Sequence, residues 1–184
     1  KLVKIKGLRV PGAFDSFEMV ARVILGQQVS VSAATTLSGR LAQKFSIRIE
    51  TPLEQLTHLP IHSSTIAGAS LDEICKLGIV STRAQAIKEI AQLIESGELN
   101  LEPNADIEQI LFRLKNIKGI GDWTAQVIAM RALAYPDAFC TLDLGIKKAL
   151  GLTKNKELEI IAEQWRPWRA YACMHLWSGL EDRK

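Results

Sequence analysis

Between Lys115 and Asp143 the chain reads KNIKGIGDWTAQVIAMRALAYPDAFCTLD. Its first half holds the glycine pair Gly119 and Gly121, and its last residue is an acid. Glycines separated by one residue let the backbone turn tightly and approach another group without a Cβ in the way. With a helix starting at Asp122 or its neighbour, the amides of Gly119, Gly121 and the following turn point outward at a helix N-terminus, which suits a phosphate. Lys118 and Thr124 flank those amides as further phosphate contacts. The same glycines also fit a simple corner between two helices. Asp143 is a candidate for stabilising positive charge or orienting water, and equally for capping a helix that begins at Leu144; the two roles are compatible.

Positioning such a pair takes a fold, and 184 residues suffice for one generous domain or two small lobes without a disulfide or metal staple. Hydrophobic content of 47% and charged content of 23% are ordinary for a soluble globular protein. No apolar run approaches the ~20 residues of a membrane span, so no membrane partner is expected. The net charge of +3 is too small to argue for nucleic acid by itself, although Arg113, Lys115 and Lys118 gather near the glycines and Lys147 and Lys148 follow the acid. Cys75, Cys140 and Cys173 lie far apart and match neither zinc nor iron–sulfur spacing, so they are expected as reduced core residues of an intracellular protein. The histidines are dispersed, and no side-chain set suggests a catalytic metal. A start at Lys1 without methionine suggests a piece of a longer chain.

The elements read almost wholly as helices. Apolar residues recur at threes and fours from Asp15 to Gly26, with Asp15 or Ser16 as cap, and again from about Ser30 to Phe45, where Ala33, Ala34, Ser38, Gly39 and Ala42 allow a close neighbour. Thr51-Pro52 predicts a short helix to about Thr57. Ser70 caps a predicted helix over 71–76, and Ser81 caps one to about Ser96. Residues 58–70 show no clear period. Asp106–Asn116 resumes the helical pattern, breaks at Gly119, and a further helix runs from about Asp122 to Tyr135. An extended connector over 138–142 leads to a helix over 143–150, and a long helical stretch over 157–177 is interrupted by Pro167. No strand pattern survives.

The sequence Leu114, Ile117, GIG, then Asp122-Trp123-Thr124-Ala125 resembles the helix-hairpin-helix element, whose backbone binds a DNA phosphate without reading bases. That element usually has proline where this chain has Lys118. About twenty residues beyond it, FCTLDLGIKKAL places Asp143 where the helix-hairpin-helix DNA glycosylase superfamily keeps its catalytic aspartate. GLRVPGAFDSFEMVARVILGQQVSV at 7–31 and WRPWRAYACMHLW at 165–177 extend the resemblance over nearly the whole chain, towards members that excise alkylated purines of the 3-methyladenine type. The resemblance implies an all-α, two-lobed domain with a cleft between the lobes, one of about 15–115 and the other of 1–14 plus 116–184. Members of that type usually carry a further N-terminal domain.

It also implies roles. Asp143 is the catalytic carboxylate, and a cationic damaged base leaves readily enough to need little acid help. Trp123 stands where members that also cut the backbone keep a nucleophilic lysine, so base release alone is expected, leaving an abasic site. Trp123 and Trp177 match pocket tryptophans, and Tyr171 lies on the same helix as Trp177; all three also fit core packing. Val127 and Leu144 replace pocket tyrosines, which makes the pocket less aromatic. Gln28 occupies the place of an intercalating leucine wedge and also fits a helix junction without DNA contact; Gln27 beside it matches the family and is grouped with Gln28 at the DNA wedge. Backbone carbonyls of Lys115, Ile117 and Gly119 match a monovalent cation site for sodium or potassium, with no cofactor for catalysis and no iron–sulfur cluster. The expected partner is double-stranded DNA containing damaged bases, bound by a monomer. A non-catalytic helix-hairpin-helix DNA-binding or scaffold module is the alternative.

Overall fold

The computed structural model describes residues 2, 5–102 and 105–181, and the parts of the expected lobes at 1, 3–4, 103–104 and 182–184 lie outside them. It holds ten helices among the described residues: α1 Ser16–Leu25, α2 Val31–Phe45, α3 Ser63–Gly68, α4 Leu71–Cys75, α5 Ser81–Glu95, α6 Ile107–Asn116, α7 Asp122–Arg131, α8 Leu144–Leu150, α9 Asn155–Glu163 and α10 Arg169–Glu181. No strand is present among them; Arg48 and His58 form one isolated antiparallel bridge. No helix among them is long and apolar enough to cross a membrane.

Local chemistry sets most of the boundaries. Asp15 caps α1 by accepting from the Glu18 amide at 2.7 Å, Ser30 caps α2, Ser70 and Glu73 form a reciprocal capping box on α4, and Asp106 caps α6. Ser81 is not a cap: Val80 is, without a side-chain bond, and Ser81 is already inside the helix. α7 stops at Arg131 rather than Tyr135, because Ala134 takes a left-handed backbone (φ 53°) and the Tyr135 amide closes back on the Ala129 carbonyl at 2.9 Å.

The helix expected over Thr51–Thr57 does not form. Its backbone instead pairs with the preceding segment, the Ile49 amide donating to the Thr57 carbonyl and the Leu59 amide to the Ile47 carbonyl, both at 2.9 Å. The Thr51 hydroxyl donates to the Leu56 carbonyl, drawing the turn away from helix. Leu53 and Leu56 stay exposed, so a helix there would have had no apolar face to bury. In α2, Gly39 faces open space, so its missing side chain accommodates no neighbour.

α1 packs against α2, α5 and α7; α3 and α4 pack on α5, α6 on α7, and α8 on α10. The buried side chains make one continuous cluster from Phe17 of α1 to Leu176 of α10. α7 contributes Ala125, Ile128, Ala129 and Met130 to it, which makes α7 a central helix. The three cysteines are free; burial pushes the Cys140 thiol up and the Cys173 thiol to about 12, so both remain unreactive core thiols.

Candidate active site

Gly119 adopts φ +94°, a conformation that costs other residues roughly a kcal/mol or more, and so permits the turn from α6 into α7. Gly121 is the cap residue of α7 and offers its first amides no side-chain acceptor, so those N–H groups and the helix dipole face outward. Asp122 in the first turn would repel an anion there, but Lys115 pairs with it at 3.5 Å. Lys118 is exposed beside the turn, while Thr124 is buried and turned inward. A Cβ added at Gly121 meets nothing within 4 Å. Gly121→Val should therefore leave the fold nearly intact while blocking the amides; if these hold a DNA phosphate, as the sequence resemblance implies, DNA binding should weaken about tenfold for all sequences alike. Titration of several duplexes at one salt concentration checks this; a loss confined to one damaged base would refute it.

Asp143 lies at the far side of the same opening, and contacts from two helices, α7 and α10, bring it there. The Phe139 amide donates to the Gln126 side chain of α7 at 3.0 Å, the Ala170 amide of α10 donates to the Pro136 carbonyl at 2.9 Å, and Arg169 clasps Asp137 through two hydrogen bonds of 2.7 and 2.8 Å. The connector is not uniformly extended: the chain turns at Thr141–Leu142, closed by the Asp143 amide on the Cys140 carbonyl at 3.1 Å.

Asp143 as a residue is 9% exposed. Its carboxylate Oδ1 accepts from the Ile146 amide at 2.8 Å, capping α8, and from Trp177 Nε1 at 3.1 Å; its Oδ2 accepts from Trp123 Nε1 at 2.9 Å. Three N–H donors thus match the anion and leave one lone-pair direction on Oδ2. Both tryptophans therefore orient the acid, a role beyond the flat wall expected of them.

A cavity of about 530 Å³ opens between the α1–α2 turn and this site, lined by Gln27, Gln28, Gly119, Gly121, Trp123, Thr124, Leu142, Asp143, Leu144 and Gly145. Glycines, acid, Trp123 and both glutamines come together there. Leu144, 79% exposed, stands on its rim with Leu142, a residue no motif singled out. Trp177 sits behind the carboxylate, and Val127 is buried in the core one turn beyond Trp123; neither lines the cavity. Tyr171 lies elsewhere, in a separate hollow with Trp165, Trp168 and His175, edge-on to Trp168. Six residues from Trp177 is about 120° around a helix, so the two cannot share a face. Of the three carbonyls matched to a cation, that of Gly119 accepts from Gln27 and that of Ile117 from the Ile120 amide. No cluster of three or more metal-ligating side chains exists among the described residues.

Gly145 is a further residue that sequence reasoning missed. A Cβ there would stand 3.0 Å from Asp143 Oδ1, 3.2 Å from Leu180 Cδ1 and 3.5 Å from Trp177 Cδ1. Gly145→Ala should push the carboxylate off its tryptophans; if Asp143 serves base release, as the sequence resemblance implies, that reaction should slow on the order of 10- to 100-fold. Single-turnover rates against an unchanged affinity for abasic DNA test this, and a wild-type rate would refute it.

Residues 21–169 match the model of the HhH-GPD superfamily base excision DNA repair proteins. The chain belongs to that superfamily. It is 36% identical over 171 residues to the DNA-3-methyladenine glycosylase 2 of Escherichia coli, covering 93% of this chain and 60% of that protein. It is 30% identical to the DNA-3-methyladenine glycosylase of Bacillus subtilis, covering 96% and 61%. A solved DNA-3-methyladenine glycosidase from Bacillus halodurans superposes with a TM-score of 0.76 at 25% identity, over 96% of this chain and 81% of that one. The chain spans between about a third and three fifths of the length of the curated relatives it matches. The family match accords with the all-helical, hairpin-containing fold expected from the sequence.

Proposed function

We propose that this superfamily member is a monofunctional DNA glycosylase that hydrolyses the N-glycosidic bond of alkylated purines of the 3-methyladenine type in double-stranded DNA. The observation that carries this reading is the Asp143 carboxylate, nearly buried, held by three N–H donors, and facing the cavity that the hairpin glycines share. The names of the Escherichia coli and Bacillus subtilis relatives support the lesion class.

In this reading the uncapped amides of α7 hold a phosphate beside the lesion, and the damaged nucleotide leaves the stack for the cavity, where the face of Trp123 meets a cationic base. As the bond from sugar to base breaks, its electron pair goes to the base and positive charge builds on the sugar. The fixed charge of Asp143 opposes that build-up in a poorly solvated site. The free lone pair on Oδ2 accepts a proton from an incoming water, whose oxygen bonds to the sugar carbon. Base release then leaves an abasic site.

No lysine lines the cavity among the described residues, and an indole cannot form a Schiff base, so strand cleavage has no nucleophile. A monovalent cation, sodium or potassium, belongs to the same proposal: the carbonyls of Ile117 and Gly119 each keep one lone pair beyond the bonds they accept. The decisive assay incubates duplexes carrying 3-methyladenine, 7-methylguanine, hypoxanthine, ethenoadenine or uracil with the protein. Free 3-methyladenine without strand cleavage or borohydride trapping is expected; trapping, or release of uracil alone, would overturn the reading.

A further inference from the structure

We propose that Gln27 is a positioning residue that fastens the α1–α2 turn to the hairpin, so that holding a phosphate and presenting Gln28 to DNA occur as one event. The inference rests on the DNA-repair reading above, and it separates two neighbouring glutamines that sequence alone treats as a pair.

Gln27 is committed inward by every polar group that the structure gives a partner. Its amide donates to the Ile24 carbonyl at 3.2 Å, and its carbonyl accepts from the Arg83 guanidinium of α5. Its side-chain nitrogen donates to the Gly119 carbonyl at 3.0 Å and to Thr124 Oγ1 at 2.8 Å. A carboxamide nitrogen has two protons, and both are used. Gln27 therefore cannot swing into a DNA gap without releasing both the first glycine of the hairpin and the first turn of α7.

Gln28 is the opposite case. It is exposed, it lines the cavity mouth, and its backbone sits at φ +51°, a left-handed conformation uncommon for a residue that is not glycine. Such a conformation persists where the surroundings over-determine it. Here Gln27 is anchored on one side, and on the other Ser30 caps α2 by accepting from the Ala33 amide at 3.2 Å. The strained residue at the tip is thus held between two fixed points, and one of them is the hairpin.

The geometry bridges segments 92 and 97 residues apart in sequence across the mouth of the cavity. A phosphate that draws in the amides of α7 pulls on Gly119 and Thr124, and the two side-chain bonds pass that displacement to the turn bearing Gln28. Gln27 never touches the reacting atoms. Its effect should fall on opening the base pair and not on bond cleavage.

Gln27→Met tests this, because methionine keeps the length and the backbone bond to Arg83 but lacks the N–H groups. The expected result is a tenfold or greater loss in single-turnover release of 3-methyladenine paired with thymine, about the weight of a hydrogen-bond pair. Less than about threefold loss is expected when the lesion faces an abasic site and needs little unstacking. Thr124→Val should reproduce part of the loss and add nothing to Gln27→Met. In a parallel binding assay, 2-aminopurine beside the lesion should brighten with wild type but not with Gln27→Met at equal occupancy. Equal losses on both duplexes, additive losses, or full brightening by Gln27→Met would overturn the proposal. Wild type that brightens the probe yet releases no base would overturn the glycosylase reading alone, since the fluorescence comparison still decides the role of Gln27; wild type that does neither would overturn both.

Discussion

Asp143→Asn should abolish base release, lowering the single-turnover rate on 3-methyladenine duplexes by a factor on the order of 10³ or more. Asparagine has the same shape but no charge to set against the cationic sugar. It also puts a donor where an acceptor is needed: with its oxygen kept on Ile146 and Trp177, its nitrogen faces the Trp123 N–H, donor against donor. The fold should hardly notice, because asparagine caps a helix about as well as aspartate does. Affinity for abasic DNA should stay within about threefold, since the proposed phosphate contacts lie on α7. The measurement pairs base release with an abasic-DNA titration and a melting curve. Full activity of Asp143→Asn would remove the catalytic assignment; lost binding or a lowered midpoint would mean that the residue is mainly structural.

The parts of this site that were legible in sequence are the parts fixed locally. Asp15, Ser30, Ser70 and Asp106 announced helix starts because a cap bonds within three residues of itself, and the glycine pair announced the hairpin because a tight turn needs its own residues only. Trp123 and Asp143 were found through their place relative to that turn. Missed were Gln126, Asp137, Arg169 and Gly145, whose value lies in partners brought near by folding. Gly145 had one readable signal: a glycine two residues after a candidate acid at a helix start hints that something must approach closely. Gln27 was legible as part of the turn expected to meet DNA, but nothing local reveals its bonds to Gly119 and Thr124. The absent helix at 51–57 shows the converse error, a permissive proline taken as sufficient where no tertiary face awaited the helix.

The second large effect is expected far from the cavity mouth, at Asp137→Ala. Asp137 is buried, its side chain 8% exposed, and it accepts from Arg169 through both oxygens and from Arg166. Arg169 is itself only 16% exposed, so deleting the carboxylate strands a largely buried guanidinium. Removing one partner of a buried pair typically costs about 3–5 kcal/mol. The lower end applies here, because the Arg166 side chain reaches water and Glu163 stands 3.9 Å from Arg169 to take part of its charge. A loss of about 3 kcal/mol corresponds to a fall in melting midpoint of roughly 6–12 °C for a chain of this size. The loss should also reach the chemistry. The same two residues fasten the start of α10, which carries Trp177, to the connector that ends at Asp143; without them the segment keeps the Ala170–Pro136 backbone bond, the Gln126 contact, the edge-on packing of Phe139 on Trp165 and the tryptophan bonds to Asp143, but loses its charged clamp. At a temperature where the variant is still fully folded, base release should therefore remain slower than wild type, by about tenfold, while affinity for abasic DNA is kept. Calorimetry together with single-turnover kinetics below the midpoint separates the two effects. An unchanged midpoint would show that the ion cluster contributes nothing net. A lowered midpoint with wild-type rates would show that the clamp stabilises the fold without positioning the acid.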